Sequence, residues 1–322
     1  MELRSIGSSD LRVSPVGLGC WQFSRGKGLG GSYWPPLPDP VTREIVRTSL
    51  AGGINWFDTA EAYGWGASEE ILTETLTMLG KSPVSTVIAT KWWPAPRTAR
   101  SITRTIGKRK ERLNGFTIAL YQVHQPISFS SVEREMDAMA TLAGRGDIRY
   151  IGVSNFNEKR MRRAAARLRT HGLRLVSNQV RYNLLDRRIE SNGILDAARE
   201  LGVSIIAYSP LAQGVLSGKF HDAPPRAYKS IGVRRFLKDF QASTLEKTRP
   251  LIRLLGEVGA RHGASSAQVA LAWLLAARGE MIVAIPGATR PAQAEENACA
   301  MNITLSGDEI DAIDRESRIA SA

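Results

Sequence analysis

Short apolar runs alternate along this chain with longer stretches in which apolar positions recur every third or fourth residue. Val16–Trp21, Ile54–Phe57, Val87–Thr90, Ile118–Val123, Tyr150–Val153, Val176–Val180, Val203–Ala207 and Ile282–Ile285 carry few polar breaks, as strands buried on both faces do. Between them, helical spacing runs over Thr42–Ala51, Ser68–Leu79, Thr98–Leu113, Ser131–Ala143, Glu158–Thr170, Ile194–Leu201, Leu245–His262 and Ser266–Ala277, then near Gln293 and from Gly307 onward. Ser68 is the expected N-cap of the second helix, and Ser130 or Ser131 that of the fourth. Ahead of the repeat, Leu3, Ile6, the turn Gly7-Ser8-Ser9-Asp10, Leu11 and Val13 read as a hairpin that caps something. Eight strands each followed by a helix predict a (β/α)8 TIM barrel, an α/β fold, as a single domain over residues 1–322, with the hairpin as an N-terminal cap and an extra C-terminal helix. An open doubly wound sheet would place a Gly-rich fingerprint between its first strand and helix. The Gly-x-Gly-x-x-Gly within Gly26-Lys27-Gly28-Leu29-Gly30-Gly31 lies in the Gly- and Pro-rich loop Ser24–Pro40, with no helix directly behind it, and fails that test.

Composition narrows the classes. The chain has 322 residues and 43% hydrophobic content, ample for a large core. No apolar run is long enough to cross a bilayer, so no membrane partner is expected. Met1-Glu2-Leu3-Arg4 lacks the apolar core of a signal peptide. Cys20 and Cys299 make no disulfide framework, and no Cys/His spacing suggests a metal, so a cytoplasmic location is the default. Lys and Arg outnumber Asp and Glu by 43 to 31, a net charge of +12, which raises nucleic acid as a partner. The densest run, Arg160–Arg169, reads instead as the solvated face of a helix around Met161, Ala165 and Leu168; no nucleic-acid partner is expected, and a basic surface also suits a phosphorylated small molecule.

The candidate chemistry sits where strands end. The apolar run Ile54–Phe57 stops at Asp58, and Tyr63 lies on the loop beyond; alone, this reads more readily as a strand-capping Asp and an ordinary pocket Tyr. In a barrel, however, Lys91 and His124 end the next two strands and all four residues meet at one mouth. A free tyrosine titrates at about 10, and a nearby ammonium lowers that value. An aspartate holds the ammonium in place, and a histidine orients a substrate oxygen. The set is equipped to move a proton to or from a carbonyl or alcohol oxygen.

At this point the sequence resembles the aldo-keto reductase family over nearly its whole length. Phe57-Asp58-Thr59-Ala60-Glu61-Ala62-Tyr63-Gly64 with Ser68-Glu69, then Ile151-Gly152-Val153-Ser154-Asn155-Phe156, then Ile285-Pro286-Gly287-Ala288 with Gln293 and Glu296-Asn297 are similar to the family's three signatures. The resemblance implies a (β/α)8 barrel that binds NADP(H) in extended form without a Rossmann domain. It implies that Asp58, Tyr63, Lys91 and His124 are the catalytic tetrad, and that a small-molecule carbonyl is the substrate. Ser154, Asn155 and Gln179 would hold the nicotinamide carboxamide, alongside Asp58, and Tyr208 would stack under the ring. Ser209, Pro210, Leu211 and Lys219 would follow the pyrophosphate, while Gly287, Thr289, Arg290, Gln293, Glu296 and Asn297 would form the adenosine end. Cys20 and Trp21 would touch both cofactor and substrate.

Relatives with another version of the third signature carry a lysine where this chain has Gly287 and an arginine where it has Gln293. NADPH preference would then rest on Arg290, with Lys219 and the N-terminus of the helix near Pro291. The alternatives left open are an NAD-dependent sugar or polyol dehydrogenase and a cofactor-sensing regulatory protein with slow turnover. Of Trp34, Trp65, Trp92 and Trp93, all assigned to mouth loops, Trp92 is the one expected to line a substrate pocket because it follows Lys91. Phe220–Phe240 is a candidate lid over the cofactor. The substrate and the oligomeric state are not legible in the chain.

Overall fold

A computed structural model describes residues 2–28, 31–82, 86–222, 234 and 236–321. Arg4–Ser5 (β1) and Arg12–Val13 (β2) pair antiparallel as the expected hairpin. Eight parallel strands follow: Leu18–Gly19 (β3), Trp56–Asp58 (β4), Val87–Trp92 (β5), Ile118–Val123 (β6), Tyr150–Ser154 (β7), Leu175–Arg181 (β8), Ser204–Tyr208 (β9) and Ile282–Ile285 (β10). Each pairs with its sequence neighbours in a sheet ordered β3 to β10. The sheet closes where Val16 bridges Ala284 and Gly19 bridges Gly287; Gly17 N–H donates to Ala284 O at 2.8 Å and Gly19 N–H to Pro286 O at 3.1 Å. The helices are Asp39–Ala51 (α1), Ala67–Met78 (α2), Arg100–Arg112 (α3), Val132–Gly144 (α4), Glu158–Arg169 (α5), Ile194–Leu201 (α6), Ala242–His262 (α7), Ser266–Ala276 (α8), Pro291–Cys299 (α9) and Gly307–Ser321 (α10). This is the (β/α)8 barrel with the hairpin cap and the added C-terminal helix.

Strand parity builds two cores. Inward residues Trp56, Ala89, Leu120, Ile206 and Val283 fill the barrel and pack against Ile6, Leu11 and Val13 of the hairpin segment, which seals the lower end. Outward residues such as Phe57, Ile88, Tyr121, Val153 and Ile205 pack against the helices. The same parity aims Asp58, Lys91 and Gln179 inward at the upper end, because each lies two residues or a multiple of two from an inward position or faces one across the sheet.

Several expectations are corrected. Trp92 does not line a pocket: it is an outward position of β5, fully buried, with its indole N–H donating to Ser101 Oγ at 3.0 Å. The strand that bears Lys91 near its end runs one residue further, to Trp92. Ser68 does not cap α2, which begins at Ala67 with left-handed Gly66 at the N-cap. The Ser68 hydroxyl instead donates to Cys20 O at 2.7 Å and lies 2.9 Å from Thr59 Oγ1, tying α2 to the ends of β3 and β4. Ser131, not Ser130, caps α4 by accepting from Arg134 N–H. The first strand is shorter than Val16–Trp21, since a tight turn at Trp21–Phe23 takes over after Cys20. The lid expected over Phe220–Phe240 falls mostly on residues 223–233 and 235, outside the described residues, as do Leu29 and Gly30 of the Gly-rich loop. No helix among the described residues is long and apolar enough to cross a membrane.

Candidate active site

Lys91 is wholly buried at the upper end of β5, and its three ammonium protons are all used. Nζ donates to Asp58 Oδ1 at 2.5 Å, to Thr59 O at 2.9 Å and to Tyr63 Oη at 3.3 Å. The other Asp58 oxygen accepts from Gln179 Nε2 at 2.8 Å and Gln122 Nε2 at 3.3 Å. A buried ion pair survives only when its remaining hydrogen-bonding capacity is met in this way. His124 follows β6 and meets the Tyr63 ring edge-on at 5.6 Å; Trp93 meets His124 edge-on at 5.3 Å.

Burial governs the titration of these groups. Burial alone would lower the Lys91 pKa, but the Asp58 carboxylate and Tyr63 reverse that and hold it above the usual lysine value. Tyr63 is pushed above 10, first by burial, with Lys91 opposing and Asp58 assisting. The lowered phenol pKa expected from the sequence is thus corrected: Lys91 does pull it down, but burial outweighs that pull. His124 is held well below 6.5 by burial and by Lys91, so its imidazole is neutral. The Cys20 thiol is pushed well above 9.0, first by burial and then by Asp58.

Every candidate residue except Lys91 lines one cavity of about 1090 Å³. Along one wall Ser154 Oγ donates to Gln179 O at 3.0 Å, Asn155 Nδ2 to Ser154 Oγ at 3.1 Å, and Tyr208 Oη to Asn155 Oδ1 at 3.0 Å. Asn155, Ser209 and Gln213, which all line the cavity, hold left-handed backbone at φ 59°, 48° and 57°. Ser209, Pro210 and Leu211 continue the wall. At the far end Gln293 Oε1 accepts from Thr289 N–H at 2.8 Å and from its hydroxyl at 3.0 Å, which fixes the entry to α9. Asn297 Nδ2 reaches Gly287 O at 3.5 Å. Burial and the neighbouring Arg290 and Arg234 hold Lys219 below its usual pKa, with Glu296 opposing.

The structure also shows participants the sequence did not single out. Arg234 stacks on Trp34 at 3.8 Å and joins the cation group. Trp93 and Trp34 line the cavity in place of Trp92, whereas Trp65 is exposed. Gln22 and Gln213 face the cavity as well. Glu61, buried beside Tyr63, accepts from Trp93 N–H at 2.7 Å and Arg97 Nη1 at 2.5 Å through one oxygen and from Arg109 Nη1 at 2.7 Å through the other. It thereby locks the Tyr63 loop to the loop after β5. A charged residue between two alanines, Ala60 and Ala62, is the available signal for Glu61.

The sequence pattern of the aldo/keto reductase family matches residues 15–317. The chain belongs to the aldo/keto reductase family. An uncharacterized oxidoreductase of Mycobacterium tuberculosis is 38% identical over 94% of this chain and 88% of its own length. An aldo-keto reductase of Bacillus subtilis is 31% identical over 92% and 87%. Among solved structures, a thermostable aldo-keto reductase in complex with the inhibitor epalrestat superposes with a TM-score of 0.76 at 28% identity, covering 98% of this chain and all of that one. The glycerol dehydrogenase of Gluconobacter oxydans superposes with a TM-score of 0.81 at 27% identity, covering 100% and 97%. As an aldo/keto reductase, the chain is an oxidoreductase acting on carbonyl groups.

Proposed function

We propose that this chain reduces an aldehyde or ketone to the alcohol with NADPH, and that Tyr63 delivers the proton to the oxygen. The observation that carries the reading is the hydrogen-bond order at Lys91: its ammonium donates to Tyr63 Oη, so the phenol's own proton stays free to point into the cavity. Asp58 keeps Lys91 charged, and the ammonium stabilises the phenolate left after transfer. The neutral His124 imidazole offers a hydrogen bond to the substrate oxygen without competing as an acid.

The donor set fits a phosphorylated dinucleotide. Amides and a hydroxyl at Ser154, Asn155 and Gln179 suit a carboxamide; Gln179 gives one N–H to Asp58 and keeps the other, with its carbonyl, available. Tyr208 would serve as the plate beneath the ring. Lys219, Arg290 and Arg234, crowded at the other end, suit a 2′-phosphate. When bound, the nicotinamide supplies the hydride. Aromatic Trp21, Trp34 and Trp93 shield the reacting oxygen from water.

Tyr63→Phe tests the assignment. The variant should bind NADPH as the parent does and lose roughly 10²–10⁴ in the rate of aldehyde reduction. Parental turnover in that variant would remove Tyr63 from the role. A second reading, an NAD-dependent polyol dehydrogenase, is favoured by the neutral Gly287 and Gln293 and by the glycerol-dehydrogenase neighbour. Equal affinity of the parent for NADH and NADPH would select it.

A further inference from the structure

Glu61 stands two residues before Tyr63 on the loop after β4, buried, and is not among the residues that line the cavity. One of its oxygens accepts from Trp93 N–H and Arg97 Nη1, and the other from Arg109 Nη1 on α3. Arg109 Nε in turn lies 3.3 Å from Glu69 Oε2 on α2, and Glu69 Oε1 accepts from Thr90 Oγ1 at 2.6 Å. Two guanidinium groups and two carboxylates thus alternate behind the loops of the mouth. Charges buried in this way stabilise a fold little more than an apolar cluster of the same volume, because desolvation offsets their attraction.

What the network does fix is the relation of three loops. Glu61 joins the loop after β4 to the loop after β5 through the Trp93 amide. His124 N–H donates to Trp92 O at 3.0 Å, and Phe129 N–H to Arg97 O at 3.0 Å, which joins the loop after β6 to the same pair. These loops carry Tyr63, Trp93 and His124. The Trp93 ring lines the cavity and stands edge-on to His124 at 5.3 Å, and His124 stands edge-on to Tyr63 at 5.6 Å. An amide held by a carboxylate sets the main chain at Trp93, and with it the place of the indole.

From this geometry we infer that Glu61 is a positioning residue: by holding the Trp93 amide it keeps the indole against His124, and so limits how bulky a carbonyl can reach Tyr63. The inference rests on the proposed carbonyl reduction. It predicts an effect that depends on substrate size and acts only through Trp93. A role in the fold alone would weaken every substrate, and the cofactor, together.

The test is steady-state reduction of a panel from propanal and benzaldehyde to benzophenone, beside equilibrium binding of NADPH. Glu61→Asp keeps the charge beside Arg109 but shortens the reach to the Trp93 amide. It should raise KM for the small aldehydes, leave kcat and NADPH affinity near parental, and shift the kcat/KM ratio towards benzophenone. The shift should be roughly tenfold, the scale of one misfit methylene in an apolar pocket. Trp93→Ala should shift the ratio the same way, and Glu61→Asp should add nothing in that background. Thermal melts set an assay temperature at which each variant is folded. If Glu61→Asp has none, Glu61→Gln, with one acceptor atom for three donors, should give the same shift at smaller size. An unchanged ratio in a folded variant, equal losses across the panel, weakened NADPH binding, or additive shifts in the double variant overturn the inference and leave the proposed function standing. A parent that reduces no member of the panel overturns both.

Discussion

The two ends of the cavity handle charge in opposite ways. Under the mouth of β4 to β6, Asp58 and Lys91 neutralise one another, and Gln122, Gln179 and Thr59 O use up what remains of their hydrogen-bonding capacity. Beyond β9 and β10, Lys219 feels two arginines and one opposing glutamate, and its proton is held more weakly for it. The first end is complete by itself and needs only a reacting oxygen. The second gathers like charge around Lys219, only partly offset by Glu296, and an anion would ease that repulsion. Chemistry calls for groups that do not move when substrate arrives, whereas selection of a charged ligand calls for a field waiting to be neutralised.

Removing a charge should therefore have opposite consequences for stability at the two ends. Lys91→Met leaves the Asp58 carboxylate buried with amides alone; it should destabilise the fold by about 3–5 kcal/mol and abolish reduction. Urea denaturation beside turnover measures both, and an unchanged midpoint would erase the distinction. Lys219→Met or Arg290→Ala should leave the melting temperature equal or raised, since each removes a like charge. The same variants should weaken NADPH by about 1.5–3 kcal/mol and NADH far less. Equal losses for both cofactors would remove these residues from phosphate recognition.

The pH profile probes the complete end more gently. Tyr63 titrates above 10 and His124 well below 6.5, so both stay in their reducing forms through neutrality. Reduction should be level between about pH 6.5 and 9, and alcohol oxidation, which starts from phenolate, should climb with pH. A reduction profile with a limb near neutrality would mean that another group controls the step. The smallest effect belongs to the cationic end: added salt should raise the Kd for NADPH by about a few-fold more than that for NADH. Parallel salt dependence would place the 2′-phosphate elsewhere.

What the chain made legible follows the same division. Asp58 and His124 stand out because a polar residue terminates an apolar run, and eight such runs announce the barrel. Trp92 was misplaced because a strand buried on both faces gives no sign of which face a residue takes; only parity with the inward Lys91 sends it outward. The direction of the Tyr63 titration was misread for a related reason. Sequence names the partners of a group, but burial decides which influence wins, and here it outweighs the pull of Lys91 on the Tyr63 hydroxyl. Ser68 sits where a cap belongs, yet Cys20 O and Thr59 offered it better partners across the fold. Arg234 and Gln22 lie on segments without periodicity, and their meaning depends on neighbours far away in sequence.

The seam between β3 and β10 has a consequence for biosynthesis. Residues 16–22 leave the ribosome early and residues 284–297 late, yet the cavity exists only where Gly19 meets Gly287 and Gln22 lies against it. A nascent chain can pair β4 through β9 in order as each emerges, but the pocket stays split until the last strand docks on the first. Ligand capture therefore has to wait for ring closure, and a bound dinucleotide would act as a clasp across the joint. Chains that stall before β10 would carry Asp58, Tyr63, Lys91 and His124 while lacking the wall opposite them.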